Sequence, residues 1–166
     1  MDFKVADHKY LIKPGFLLVS YETTSVYGVT GSGVFISLWD SCKQFSGCCL
    51  YLLPNPIQKN DVSTKYGSIA IKHLIKTMKT KGSNINDLKA LIIGGGDIET
   101  SFDYGKANIK IAKTILSYFN IEILSCDYGG SLGRKFIYDS ENGQSLTLKT
   151  KNIRQSDWYP YLERTD

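Results

Sequence analysis

The sequence predicts a single α+β domain, a layered sandwich of mixed β-sheets with two long amphipathic helices. Three observations support this class. The first third of the chain contains short apolar or alternating runs, two later stretches carry apolar residues at helical spacing, and a strand-like run follows each of them. With 166 residues and 42% hydrophobic content, the chain can bury one core.

The first third is predicted to form four short strands. Gly, Ser and Asp separate these runs, as is typical of half-buried strands. The runs span residues 17–19, 26–29, 34–39 and 48–53. Pro54 and Pro56 end the region, because proline cannot donate a ladder hydrogen bond and restricts the residue before it.

Two amphipathic helices are predicted after this break. The first begins near Lys65 and ends near Gly82. In each helix apolar residues recur on one face while lysines occupy the other, which indicates one buried and one solvated side. The apolar stripes are Ile71, Leu74, Ile75 and Met78 in the first helix, and Ile109, Ala112, Ile115, Leu116 and Phe119 in the second.

Four further strands are predicted around the second helix. The uninterrupted apolar run 88–93 leads into Gly94-Gly95-Gly96, which is typical of a strand buried on both faces that ends in a tight turn. Residues 121–124, 135–138 and 145–149 complete the set, and Asn142-Gly143 is a strong turn signal between the last two. The triple glycine lacks the spacing of phosphate-binding loops, so a turn is favoured over a phosphate site.

Composition narrows the range of functions. The net charge is +4, but the lysines are spread along the chain without a nucleic-acid motif, so no nucleic-acid binding is expected. No run is apolar and long enough for a leader or a membrane span, which predicts a cytoplasmic protein without membrane insertion. The cysteines form no C-x-x-C pair, so we expect reduced thiols acting as apolar filler, no metal site and no cofactor.

Candidates for a catalytic base are scarce. A nucleophile needs a base within hydrogen-bond reach, and the sequence contains only two histidines. His8 lies in an amino-terminal segment expected to be mobile, and His73 lies within the first helix beside its apolar stripe. Neither position is typical of a base.

Several segments, taken in register, resemble the chemoreceptor glutamine deamidase (CheD) family. Residues 30–34 resemble its L-G-S-C-V segment, and residues 46–54 resemble G-G-x-x-H-x-x-L-P at the matching separation. The likeness continues at 65–66, at 88–95, at 127–134 (D-x-G-G-x-x-G-R) and at 138–143 (F-D-x-x-T-G). A CheD-like domain is therefore expected over residues 1–153, with an aromatic tail at 154–166.

The resemblance implies that the family's catalytic groups are missing. Its nucleophilic cysteine corresponds to Gly33 and its histidine base to Leu50. Its polar threonine corresponds to Tyr27, while Thr30 is close but out of register. Without thiolate and imidazole, no attack on a glutamine carboxamide is expected.

Substitute catalytic residues are few. Strand alternation places Cys48 and Leu50 on one face and Cys49 and Tyr51 on the other. Ser32, Cys48 and Cys49 are the remaining candidate nucleophiles, and none has an evident base.

Three functions stay open at this point. The resemblance implies a non-catalytic chemotaxis protein that binds the cytoplasmic domain of chemoreceptors, a CheC-type phosphatase, or both. The second possibility is an active deamidase with displaced catalytic groups, and the third is a small-molecule module that uses a cavity at Gly33.

A binding surface is expected on two parts of the chain. Gly31, Ser32 and Tyr51 border the vestigial site, while Trp158 and Tyr159 belong to the aromatic tail. Aromatic residues in such a tail either anchor an interface or fold back onto the domain.

Overall fold

A computed structural model describes residues 3–97, 102–154 and Asp157. It contains nine strands, two α-helices and one short 3-10 helix within these residues. The elements are β1 His8–Leu11, β2 Leu17–Ser20, β3 Thr24–Thr30, β4 Val34–Asp40, β5 Phe45–Tyr51, α1 Gly67–Thr80, the 3-10 helix Ile85–Asp87, β6 Leu88–Gly94, α2 Tyr104–Tyr118, β7 Glu122–Tyr128, β8 Gly133–Asp139 and β9 Ser145–Thr150.

The strands form two mixed sheets. A four-stranded sheet has the order β1-β3-β8-β9, and a five-stranded sheet has the order β2-β5-β4-β6-β7. The pairs β1–β3 and β6–β7 are parallel, and the other pairs are antiparallel. The predicted α+β class with mixed sheets and two helices is confirmed.

The five-stranded sheet lies between the helices and the other sheet. Alternation along β4 sends Ile36 and Leu38 into a core shared with α1 and α2. Phe35 points the other way, into a second core that it shares with Phe136 and Tyr138 of the four-stranded sheet. The molecule therefore has three layers and two apolar cores.

Both helices bury the predicted stripes. Ile71, Leu74, Ile75 and Met78 of α1 are buried against the five-stranded sheet. Ile109, Ala112, Ile115 and Leu116 of α2 are buried in the same core. Phe119 follows the last turn of α2 and is only partly buried there.

The start of α2 has a side-chain cap. Asp103 accepts a hydrogen bond of 3.0 Å from the backbone amide of Lys106, and its carboxylate also pairs with the Lys106 ammonium. This arrangement satisfies one of the free amides of the first helical turn.

The amino-terminal segment differs from its prediction. His8 was expected in a mobile stretch, but it begins β1, which pairs in parallel with β3 through His8–Thr24 and Leu11–Tyr27. The strand was missed because its residues are all at least partly exposed and its sequence shows no alternation. A parallel partner 16 positions away is also not encoded locally.

The boundaries of β5 and β7 differ from the predicted ones. β5 runs from Phe45 to Tyr51, so Leu52 and Leu53 leave the predicted strand, and Leu53 forms only an isolated bridge with Tyr66. β7 continues to Tyr128, four residues beyond the predicted end at residue 124.

Among the described helices, none is long and apolar enough to cross a membrane.

Gly28→Ala tests the aromatic contact between the sheets. A methyl group at position 28 would lie 2.2 Å from the Phe136 ring, which in turn packs on Phe35 with ring centroids 4.4 Å apart. We expect the free energy of unfolding to fall by about 1–3 kcal/mol, as in other overpacked cores. Urea unfolding followed by circular dichroism measures the change. Because Phe136→Leu removes the ring, the same alanine should cost less in that background, and an equal cost would contradict the contact.

Candidate functional site

The segment that precedes β4 lies against the triple glycine that follows β6. The Gly95 amide donates to the Gly33 carbonyl at 2.8 Å, and the Gly96 amide donates to the Gly31 carbonyl at 2.9 Å. Gly94 has a positive φ of 119°, and a Cβ there would lie 2.3 Å from the Gly33 oxygen. The predicted tight turn is confirmed, and it fixes the backbone around Gly33.

Gly33 and Leu50 are diagonal neighbours on one face of the five-stranded sheet. Leu50 pairs with Phe35, and Val34 pairs with Tyr51, so extending the register by one residue places Gly33 beside Leu52. Leu50 is fully buried between the sheets in the same apolar core as Phe35 and Cys48, on the face predicted from alternation. These two positions are close together, and apolar side chains surround Leu50.

Gly33 has no space for a side chain. A Cβ built on it would lie 2.8 Å from the Tyr51 carbonyl oxygen, 3.0 Å from Thr30 Oγ1 and 3.2 Å from Leu52 Cδ2. The first of these atoms is backbone within a strand, so it cannot move aside cheaply. A side chain at position 33 would therefore have to displace backbone, and the small-molecule module stays a hypothesis.

Thr30, and not Tyr27, lies next to Gly33. Tyr27 pairs with Leu11 and Ile137 and shares their outer face of the four-stranded sheet, whereas Thr30 is buried and contacts the Gly33 position. The sequence register had assigned the family's threonine to Tyr27. The structure instead places a threonine hydroxyl at the vestigial site from a position three residues later.

Tyr27 contributes to a groove on the outer face of the four-stranded sheet. The groove has a volume of about 470 Å³, and Leu146 and Leu148 are exposed along it. Asp157 also lines this groove, and its Oδ1 is 2.5 Å from Lys135 Nζ. Trp158 and Tyr159 lie outside the described residues, so their predicted role in binding stays a prediction.

The candidate thiols are divided between the two cores. Cys48 is buried between the sheets, and Cys49 is buried against the helices. Burial raises the pKa of Cys49 to about 12, and burial together with the neighbouring Cys49 raises the pKa of Cys48 well above its usual value. Both side chains therefore remain neutral thiols at physiological pH.

Neither histidine is bonded to a candidate nucleophile. His8 Nε2 lies 3.7 Å from Glu22 Oε2 at the surface, and His73 is exposed on α1. Within the described part of the chain, no hydrogen bond joins either ring to Ser32, whose carbonyl is half-buried near Gly33. Among the described residues, neither histidine therefore reaches the segment of Gly31, Ser32 and Gly33.

Asn108 is the site residue that sequence reasoning missed. It lies fully buried in α2, and its Nδ2 donates to the Ser32 carbonyl at 2.9 Å and to the Leu52 carbonyl at 2.8 Å. It thereby connects α2 to the segments before β4 and after β5. A signal was present, since Asn108 is a polar residue on the buried stripe, four residues before Ala112.

Tyr51 belongs to the same framework and not to a binding surface. Its side chain is fully buried, its ring lies against Gly67, and its hydroxyl donates to the Asn108 backbone carbonyl at 2.7 Å. The prediction that Tyr51 contacts a partner is wrong. Alternation correctly separated it from Leu50, but could not tell that both faces of this sheet are covered.

The motif at residues 127–134 forms an ion-paired loop. Arg134 is almost fully buried, and its Nη2 lies 3.0 Å from Asp127 Oδ1 while its Nη1 donates to the Leu132 carbonyl at 2.7 Å. Lys149 lies 3.4 Å from the same Asp127 oxygen. The paired charges close the loop between β7 and β8 beside Thr30, which is opposite Arg134 in the ladder.

Three exposed apolar side chains lie on segments that are bonded to Asn108 or precede it in the chain. Leu52 exposes 41% of its surface, Phe102 52% and Tyr104 39%. The Phe102 and Tyr104 rings contact each other with centroids 4.6 Å apart, one helical turn before Asn108. We call Leu52, Phe102 and Tyr104 the apolar rim.

A family model and several known proteins that are similar to this chain all carry the same family description. The family model described as CheD chemotactic sensory transduction matches residues 52–150. A probable chemoreceptor glutamine deamidase CheD of Sulfurimonas denitrificans is 37% identical over 145 residues, covering 83% of this chain and 92% of the relative. The protein of the same description from Trichlorobacter lovleyi is 30% identical over 151 residues, covering 89% and 94%. A third, from Clostridium novyi, is 36% identical over 121 residues, covering 68% and 75%.

Asn108→Ala tests the link between α2 and the vestigial site. The change leaves the Ser32 and Leu52 carbonyls without their donor, so we expect the free energy of unfolding to fall by about 1–3 kcal/mol. Amide hydrogen exchange should also quicken around residues 31–33. Asn86→Ala, which alters an exposed asparagine, is the matched control. If both variants are equally stable, Asn108 does not hold the framework.

Thiol alkylation tests the burial of Cys48 and Cys49. Because their pKa values are raised by burial, iodoacetamide at pH 8 should modify only Cys42 and Cys126, the two exposed cysteines, in the native protein. Peptide mass spectrometry identifies the modified sites, and urea-unfolded protein, in which all four should react, is the control. Native modification of Cys49 as fast as that of Cys126 would instead indicate an activated thiol.

Proposed function

This chain belongs to the CheD family, and we propose that it is a non-catalytic member that binds the cytoplasmic signalling helices of chemoreceptors. One observation carries the proposal. The position that corresponds to the family's nucleophile is a glycine whose side-chain space is closed by the Tyr51 carbonyl oxygen, 2.8 Å from a Cβ at position 33.

The surroundings of Gly33 also support a lack of turnover. Leu50, at the position of the family's base, is fully buried among apolar side chains, where a charged imidazolium would be strongly disfavoured. Removing members of a nucleophile–base unit typically costs several orders of magnitude in rate. Without a cysteine at position 33 and a histidine at position 50, we expect the protein to bind its partner and not to deamidate it.

The apolar rim is the proposed docking surface. Leu52, Phe102 and Tyr104 can contact the apolar positions of an amphipathic helix, which is the usual basis of helix recognition. Lys110 of α2 follows the rim and is exposed, so it can pair with an acidic residue of such a helix. The relatives are described as acting on chemoreceptors, which favours a receptor as the partner.

A CheC-type phosphatase is the second candidate partner. The rim is apolar, so it can also accept a protein helix from such an enzyme. The deamidase with displaced groups has less support, because Cys48 and Cys49 are buried and no hydrogen bond joins a histidine to Ser32 within the described residues. A direct assay separates these possibilities.

The first experiment incubates the protein with a chemoreceptor cytoplasmic fragment from the same organism. We expect binding by surface plasmon resonance, and no mass increase of the fragment from glutamine-to-glutamate conversion. Tyr104→Glu should weaken binding by about tenfold or more, since it places a charge in the apolar rim. Tyr118→Glu, which alters an exposed tyrosine at the other end of α2, is the matched control and should bind normally.

Other outcomes would replace the proposal. Conversion that is abolished by Ser32→Ala, Cys48→Ser or Cys49→Ser would show an active deamidase and identify its nucleophile. If the protein binds a CheC-type phosphatase but not the receptor fragment, the rim is a docking surface for the phosphatase and not for the receptor. If neither protein binds at micromolar concentration, the docking function is excluded.

A further inference from the structure

Three side chains with metal-binding atoms meet at the end of β4 opposite to Gly33. Asp40 is the last residue of β4, Cys42 lies in the turn before β5, and Asp87 ends the 3-10 helix. One ligand atom from each of them lies within 4.8 Å of the other two. We propose that Asp40, Cys42 and Asp87 form a binding site for a divalent cation of the Zn²⁺ type.

The state of Asp40 is the main argument for a cation. The side chain is completely buried, and its Oδ1 accepts hydrogen bonds from the amides of Cys42 at 3.0 Å and Lys43 at 2.9 Å. Its Oδ2 has no hydrogen-bond partner among the described residues. A buried carboxylate with an unsatisfied oxygen is costly unless a cation or a further donor reaches it.

Among the described residues, no basic side chain forms an ion pair with Asp40 or Asp87. Lys43 is the basic residue of the turn, but its Nζ donates to the Gly82 carbonyl at the end of α1. The described ion pairs include neither Asp40 nor Asp87. Two carboxylates and a thiol therefore share a small volume without a protein cation between them.

The donor set selects the class of metal. One thiolate with two carboxylates suits borderline-soft Zn²⁺, whereas Mg²⁺ and Ca²⁺ prefer oxygen ligands alone. Cys42 is exposed, so water can supply a fourth ligand and accept the proton that the thiol releases on coordination. In tetrahedral zinc sites ligand atoms lie about 3.3–3.8 Å apart, so binding would bring these atoms, now within 4.8 Å, closer together by up to about 1.5 Å.

The backbone already holds the two segments together. The amide and the hydroxyl of Ser41 both donate to the Asp87 carbonyl, each at 3.2 Å. This pair of bonds fixes the turn after β4 against the 3-10 helix, so that the ligands need little reorganisation. A bound metal would therefore cross-link the β4–β5 turn to the start of β6.

Cobalt and zinc titrations of the metal-free full-length chain test the site. We expect one equivalent of Co²⁺ to produce a thiolate-to-cobalt charge-transfer band in the near ultraviolet, and Zn²⁺ to displace it. Cys42→Ser should abolish the band, whereas Cys126→Ser, which alters the other exposed cysteine, should keep it. Asp87→Asn should weaken Zn²⁺ binding, measured by competition with a chromophoric chelator, by at least about tenfold.

Stability provides an independent readout. Zn²⁺ should raise the melting temperature of the unmodified chain and of Cys126→Ser, but not that of Cys42→Ser. Cys42 and Asp87 are at least partly exposed, so their variants are expected to fold even if a change at buried Asp40 does not. The proposal is wrong if the unmodified chain gives no cobalt band or if Cys42→Ser keeps the band. It is also wrong if Asp87→Asn leaves the affinity for zinc unchanged.

Discussion

Strand β4 is hydrogen-bonded to β5 and β6 on its two edges, and six of its seven residues are buried. Most of the buried side chains of this strand are apolar, and a buried polar one such as Ser37 needs a partner within the protein. The candidate site at Gly33 lies at one end of the strand, and the cluster of Asp40, Cys42 and Asp87 lies at the other.

The first of these ends is held by backbone contacts. The amides of Gly95 and Gly96 bind the carbonyls of Gly33 and Gly31, and Asn108 binds the carbonyl of Ser32 from the helix layer. None of these bonds depends on the side chain at position 33. A framework that is held by backbone carbonyls and amides tolerates different side chains at position 33 as far as these hydrogen bonds are concerned.

The parts that the sequence predicted are those governed by local periodicity. The stripes of α1 and α2, the buried strand before the triple glycine and the separation of Leu50 from Tyr51 all follow from spacing along the chain. Strand β1 was not predictable in this way, since its parallel pairing with β3 depends on tertiary structure. Asp87 approaches Cys42 only because β6 pairs with β4, which no local pattern indicates.

On the proposed assignment of positions 33 and 50, introducing the family's cysteine and histidine there would also disturb the packing. The aromatic rings of Phe35 and Phe136 fill the space between the sheets beside Leu50, and the Tyr51 carbonyl closes the space at Gly33. A histidine at position 50 would lose its hydration, and a cysteine at position 33 would contact backbone. Active sites generally retain polar groups at a cost in stability, and apolar replacements remove that cost. Under the proposed function, the apolar packing around Leu50 and the close backbone at Gly33 accompany the absence of a cysteine and a histidine at these positions.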